Sequence, residues 1–110
     1  MSTMIESEDF SYLLADKAFH SLRGTNWTLQ IDSGGPMNPF YLAFGHTHVT
    51  FTTANSPPTT GTYSQGLNGH FHIACWNGCS FVGRHSGGNG SGTFHQPNGF
   101  PSYPFTMTKD

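Results

Sequence analysis

The chain has 110 residues, the size of one ordinary domain with a single hydrophobic core. Charged residues make up 9% and the formal net charge is −2, so the sequence lacks the Lys and Arg clusters that bind nucleic acid and the basic helical face that binds a membrane. No apolar run approaches the roughly 20 residues of a membrane span, and aromatic residues, at 15%, predict a core built mainly from large rings.

The first predicted element is an N-terminal α-helix over residues 8–22. Ser7 is a suitable N-cap, and Gly24 follows as a C-terminal stop. Apolar residues recur at near-helical spacing at Phe10, Leu14, Ala18 and Leu22. We expect this helix to cover a barrel end or a sheet face.

From Asn26 onward the hydrophobic period changes to two, and turn signals follow at intervals of about eight to twelve residues. The pattern predicts one domain, residues 1–110, in which an antiparallel up-and-down meander of about eight strands occupies residues 26–108. The predicted strands are Trp27–Ile31, Phe40–Gly45, His48–Thr53, Gly61–Gln65, His70–Trp76, Cys79–His85, Ser91–Gln96 and Tyr103–Thr108.

The predicted sheet is almost uncharged, and it lacks the Lys and Glu residues that usually protect strand edges from pairing with another chain. Closure into a barrel or formation of a homo-oligomer would each remove this problem. We therefore expect a mainly β fold that closes as a barrel, and a homo-oligomer. Eight up-and-down strands form a barrel that holds one small ligand.

Two short segments resemble the calycin group, which contains the lipocalin-like and avidin-like barrels. Gly24-Thr25-Asn26-Trp27 is similar to the lipocalin Gly-x-Trp motif with one extra residue, and Thr60-Gly61-Thr62-Tyr63-Ser64 resembles a segment of avidin-like barrels. Trp76 falls on a predicted strand, as ligand-packing tryptophans do in that group. The resemblance implies a closed barrel with a pocket for a small molecule.

Two Asn-Gly sequences set the predicted strand register, because Asn-Gly between alternating apolar residues is typical of a two-residue type I′ hairpin. Turns at Asn68-Gly69 and Asn77-Gly78 would place His70 opposite His85. Cross-strand partners share a face of the sheet. Pairing of Ser86 with Ser91 would add Phe94 to that face. The residues predicted on this face are Tyr63, Gln65, His70, His72, Ala74, Trp76, Cys79, Phe81, His85 and Phe94.

Three histidines on this predicted face suggest a metal site as an alternative. His70 and His72 alternate on one strand and His85 faces them, which is the His₃ arrangement of catalytic zinc sites. The histidine-rich segment contains no Asp or Glu that would orient a ligand ring. We therefore expect no cofactor, with a divalent metal such as zinc as the alternative.

The orientation of this face decides the function. A solid core would turn the opposite face, with Phe71, Ile73 and Val82, toward the interior. A cavity lined by aromatic rings and a few polar groups would turn the histidine face inward, and we favour this arrangement. The predicted function is a barrel that binds a small molecule. The predicted ligand-binding residues are Tyr63, Gln65, His70, His72, Trp76, Phe81, His85 and Phe94.

Two other functions remain open. A small enzyme of the isomerase, cyclase or lyase type would use histidine as a general acid–base or the His₃ metal. A carbohydrate-binding or assembly protein would instead stack sugars on exposed Trp and Tyr residues.

The cysteines bear on the compartment. The predicted register places Cys75 and Cys79 on opposite faces of the hairpin, which disfavours a disulfide. Two reduced cysteines, together with the lack of a basic and apolar leader in Met1–Glu6, predict a cytoplasmic protein.

Overall fold

A computed structural model describes residues 21–110 as a closed barrel of eight antiparallel strands in chain order. The strands are β1 (Asn26–Ile31), β2 (Phe40–Phe44), β3 (His48–Thr52), β4 (Thr59–Gln65), β5 (His70–Ala74), β6 (Ser80–Ser86), β7 (Asn89–His95) and β8 (Tyr103–Lys109). Pairing of β8 with β1 closes the barrel. The predicted eight-strand meander and its closure are confirmed.

The predicted N-terminal helix lies almost entirely outside the described residues. Its last two residues, Ser21 and Leu22, are described and are not helical. Within residues 21–110, no helix has the length and apolar character needed to cross a membrane.

Side chains that alternate along each strand fill the barrel interior. In β1, Trp27, Leu29 and Ile31 point inward and are buried, whereas Thr28 and Gln30 lie on the outer wall. The buried core consists of Leu22, Trp27, Leu29, Ile31, Leu42, Phe44, Val49, Phe51, Phe71, Ile73, Phe81, Phe105 and Met107. The barrel is therefore a packed core of the kind that an aromatic-rich sequence predicts.

The up-and-down topology gives the barrel two different ends. Four loops meet at one end, here named the loop end, and they comprise residues 32–39, 53–58, 75–79 and 96–102. The other end, here named the short-turn end, is formed by residues 21–25 together with the short connections 45–47, 66–69 and 87–88.

Close backbone contact between β6 and β7 requires glycine. Gly83 faces Gly92 across this strand pair. A Cβ atom built on Gly92 would lie 2.1 Å from the Val82 carbonyl oxygen and 2.6 Å from the Gly83 Cα. Because both atoms belong to the backbone, a side chain at position 92 would push the two strands apart.

The two Asn-Gly loops are one residue longer than predicted. The Gly66 N–H donates to the carbonyl oxygen of His70 at 2.9 Å, and the Cys75 N–H donates to that of Cys79 at 2.9 Å. Each loop therefore contains three residues, with Asn-Gly at its last two positions. Three-residue hairpin loops are the next most common after two-residue ones.

The extra residue in each loop moves every side chain of β5 to the face opposite the predicted one. His70 pairs with Arg84 and His72 pairs with Val82, so the predicted pairing of His70 with His85 is wrong. Both β5 histidines are exposed on the outer wall, whereas His85 is buried. A slip of one residue moves a whole strand's side chains to the opposite face.

The neighbouring strands keep their predicted faces, because the two slips on either side of β5 cancel. Tyr63 pairs with Ile73, which pairs with Phe81, and all three belong to the core or pack against it. Phe94 pairs with Phe81 and also packs against the core. The predicted pairing of Ser86 with Ser91 is wrong by two residues, which leaves the face of Phe94 unchanged.

Cys75 and Cys79 form a disulfide, with 5.0 Å between their Cα atoms. The prediction of two reduced cysteines is therefore wrong. The cause is the same loop, since a three-residue connection makes the two cysteines direct cross-strand partners.

Candidate functional site

The residues predicted to form one binding face lie in three places. His70 and His72 are on the outer wall. Tyr63, Gln65 and His85 are on the inner side toward the short-turn end, and Trp76, Phe81 and Phe94 are toward the loop end.

His85 is packed between aromatic rings inside the barrel. Its side chain is 5% exposed, and its ring centroid lies 5.6 Å from that of Trp27 and 6.0 Å from that of Phe71. The Trp27 Nε1–H donates to Thr25 Oγ1 at 2.9 Å, and the Thr25 hydroxyl donates to the Leu22 carbonyl oxygen. Trp27, which packs against His85, is therefore held by hydrogen bonds to the segment before β1.

Tyr63 and Gln65 hold connections of the short-turn end in place. The Tyr63 hydroxyl donates to the Gly45 carbonyl oxygen at 2.5 Å. Gln65 Oε1 accepts from the Leu22 N–H at 2.8 Å, and its Nε2 donates to the Ser21 hydroxyl at 3.2 Å. The polar atoms that were predicted to contact a ligand therefore close this end of the barrel.

An aromatic cluster runs from the buried core to the surface at the loop end. Phe51 is at its centre, with ring-centroid distances of 5.2 Å to Trp76 and 5.9 Å to Phe81. Phe81 in turn stacks on Phe94 at 4.7 Å, and Phe40 and Phe51 form a T-shaped pair at 6.3 Å. Such geometries are the favourable ones for aromatic pairs.

Trp76 is the exposed end of this cluster. Its side chain is 46% exposed, although its ring contacts Phe51, which is almost fully buried. Trp76 lies inside the loop that the Cys75–Cys79 disulfide closes. The Cys79 N–H also donates to Asn77 Oδ1 at 3.3 Å, so the loop that carries the indole is fixed by covalent and hydrogen bonds.

Further apolar side chains are exposed on neighbouring loops of the same end. Phe100 is 62% exposed and Met37 is also exposed. A Cβ atom built on Gly78 would lie 3.6 Å from the Pro97 Cβ, so the Trp76 loop adjoins the loop that carries Phe100. These exposed apolar side chains therefore lie at the same end of the barrel as the aromatic cluster.

Sequence reasoning missed Phe40 and Phe51 as members of this cluster. The strands that carry them are connected by loops without a countable turn, so their pairing was not predictable from turn chemistry. Phe51 alternates with Val49 in β3, and this alternation was the available signal that it points inward.

The structure does not bring the proposed metal ligands together. His70 and His72 are outside the wall and His85 is inside. Among the residues from 21 to 110, no group of three or more His, Cys, Asp or Glu side chains is arranged to hold a metal ion.

The sequence matches no family model, and comparisons with curated proteins and with solved structures find no match.

Proposed function

We propose that the protein binds a small, flat, largely apolar molecule at the loop end of the barrel, stacked on Trp76. The observation that carries this proposal is the aromatic cluster, which joins the half-exposed indole of Trp76 to the buried ring of Phe51. A tryptophan anchored in this way offers an apolar face whose position is already fixed, so little conformational entropy is lost on binding.

The closed eight-strand barrel is consistent with the calycin resemblance and with a ligand at a barrel mouth. The proposed position differs from the predicted one. Of the predicted ligand-binding residues, we assign Trp76, Phe81 and Phe94 to the site, with Trp76 in direct contact. Tyr63 and Gln65 are left out because their polar atoms bond to the short-turn end.

The enzymatic alternative has less support. Its metal-dependent form required His70, His72 and His85 on one face, and the strand register separates the first two from the third. The carbohydrate alternative shares the loop end with our proposal, since an exposed indole beside an amide such as Asn77 also suits a sugar.

The expected contribution of Trp76 follows from its exposed area. A tryptophan that is 46% exposed offers about 100 Å² to a ligand, which corresponds to about 2 kcal/mol or about a thirtyfold change in affinity. Trp76→Ala should therefore weaken binding of the neutral fluorescent probe N-phenyl-1-naphthylamine about thirtyfold.

Leu67→Ala is the matched control. Leu67 is as exposed as Phe100, at 62%, but it lies in the short-turn end. Probe binding is measured by fluorescence titration, and circular dichroism verifies that each variant retains the barrel. Equal affinity in wild type and Trp76→Ala, or an equal loss in Leu67→Ala, would contradict the proposal. Binding of glucose or N-acetylglucosamine without probe binding would replace it with carbohydrate recognition.

A further inference from the structure

A concave surface lies next to the 87–88 connection of the barrel, away from the loop end. It spans β6, β7 and β8 as an open depression with a volume of about 490 Å³. Its lining residues are Arg84, His85, Ser86, Asn89, Gly90, Ser91, Thr106, Met107 and Thr108. Volumes of this size are typical of pockets for small molecules.

The strand register explains which polar side chains line this surface. Two outward rows of residues cross the three strands, Arg84–Ser91–Thr106 and Ser86–Asn89–Thr108. The row between them, His85–Gly90–Met107, belongs to the inward-facing set. The depression therefore has a backbone floor between two rows of hydroxyl, amide and guanidinium groups.

Arg84 is the only Lys or Arg between Arg23 and Lys109. Its Nε–H donates to the Asn68 carbonyl oxygen at 3.3 Å, which links the side chain to the 66–69 connection of the short-turn end. Within the part of the chain from residue 21 onward, the carboxylates are Asp32 and Asp110, and neither pairs with Arg84.

The polar groups around Arg84 are uncharged hydroxyls and an amide. The lining contains no carboxylate, and it offers four hydroxyl groups and one amide beside the guanidinium. A guanidinium binds carboxylate, sulfate or phosphate oxygens through two parallel N–H bonds. Hydroxyls and amides both donate and accept, so they suit a ligand that carries hydroxyl groups.

We propose that this outer depression binds a small hydroxylated anion, such as a sugar phosphate or a sugar acid. Arg84 holds the anionic group, and the Ser, Thr and Asn side chains of the two rows contact the hydroxylated body. This site is independent of the apolar site at Trp76, so either proposal can fail without the other.

The test uses glucose 6-phosphate and glucuronate as probes, with glucose and inorganic phosphate as references. Binding to the full chain is followed by amide chemical shifts in ¹H–¹⁵N NMR spectra. We expect saturable shifts in β6 to β8 with either organic anion. Glucose and inorganic phosphate should each bind at least about tenfold more weakly, because glucose lacks the anionic group and inorganic phosphate lacks the hydroxylated body.

Two variants and one control locate the site. Arg84→Gln should weaken binding of the organic anion at least about tenfold, since it removes a charge-assisted bidentate pair. Thr106→Val keeps the shape of the side chain and should weaken binding a few-fold. Arg23→Gln removes the same charge from an exposed residue of the short-turn end and should leave affinity unchanged.

Several results would overturn the proposal. These are the absence of shifts up to about 10 mM probe, shifts outside β6 to β8, or equal losses in Arg84→Gln and Arg23→Gln. Inorganic phosphate binding as tightly as glucose 6-phosphate would likewise contradict a role for the hydroxylated body.

Discussion

The disulfide between Cys75 and Cys79 should stabilise both the barrel and the loop that carries Trp76. The closed loop has a sequence separation of 4. For so short a loop, the chain-entropy relation gives a stabilisation of about 2 kcal/mol at 25 °C. Replacement of both cysteines by alanine should lower the free energy of unfolding by this amount, which corresponds to a decrease in Tm of about 10 °C.

Thermal unfolding followed by circular dichroism measures this effect. Wild type in a buffer with tris(2-carboxyethyl)phosphine should unfold at a lower temperature than wild type without reductant. The Cys75→Ala/Cys79→Ala variant should unfold at a temperature that the reductant does not change. This comparison separates the loss of the covalent bond from any effect of the alanine side chains.

The reasoning would be refuted if wild type and the double variant unfolded at the same temperature without reductant. It would also be refuted if a thiol reagent detected two free thiols in the folded, air-oxidised protein.

The disulfide also concerns the cellular compartment of the protein, because disulfides persist in oxidising environments. We propose such an environment instead of the cytoplasm, and alkylation of both cysteines in intact cells would contradict this.

Two further predictions concern the packing of the barrel. Gly92→Ala should destabilise the protein by about 1–3 kcal/mol, because the added methyl group meets the backbone of Val82 and Gly83. Gly35→Ala is the control, since a Cβ at that position meets nothing within 4 Å, and urea unfolding should show a change below about 0.5 kcal/mol; similar losses in both variants would contradict the close-approach argument. Phe51→Ala should cost about 3–5 kcal/mol in the same assay, because it removes a fully buried ring at the centre of the aromatic cluster. A loss below about 1 kcal/mol would show that the cluster does not depend on this ring.

The barrel could be predicted from the sequence because its main signals are local. The strands alternate in hydrophobicity, and turn residues separate them at regular intervals, so the predicted and observed strand bounds agree within a few residues. The almost uncharged wall also favoured closure over an open edge. These features do not depend on how any one strand is aligned with its neighbour.

The predicted binding face depended on how β4, β5 and β6 are aligned, and this alignment depended on the length of the two Asn-Gly loops. A two-residue loop at Asn77-Gly78 places His70 opposite His85, whereas the observed three-residue loop places it opposite Arg84. For this reason His70 and His72 do not share a face with His85. The prediction that Tyr63 and Phe81 share a face is nevertheless confirmed. The pairing of β5 is shifted by one residue against β4 and by one residue against β6, so the alignment of β4 with β6 is unchanged.

The cysteine spacing contained the information that would have resolved the loop length. In a two-residue loop at Asn77-Gly78, Cys75 and Cys79 point to opposite faces and cannot form a disulfide. In a three-residue loop, they become direct partners with a Cα separation of 5.0 Å, which a disulfide spans. A Cys-x₃-Cys sequence across a hairpin therefore favours the longer loop, if the pair is oxidised. The close approach of these cysteines, the separation of His70 and His72 from His85, and the presentation of Trp76 all follow from that one loop.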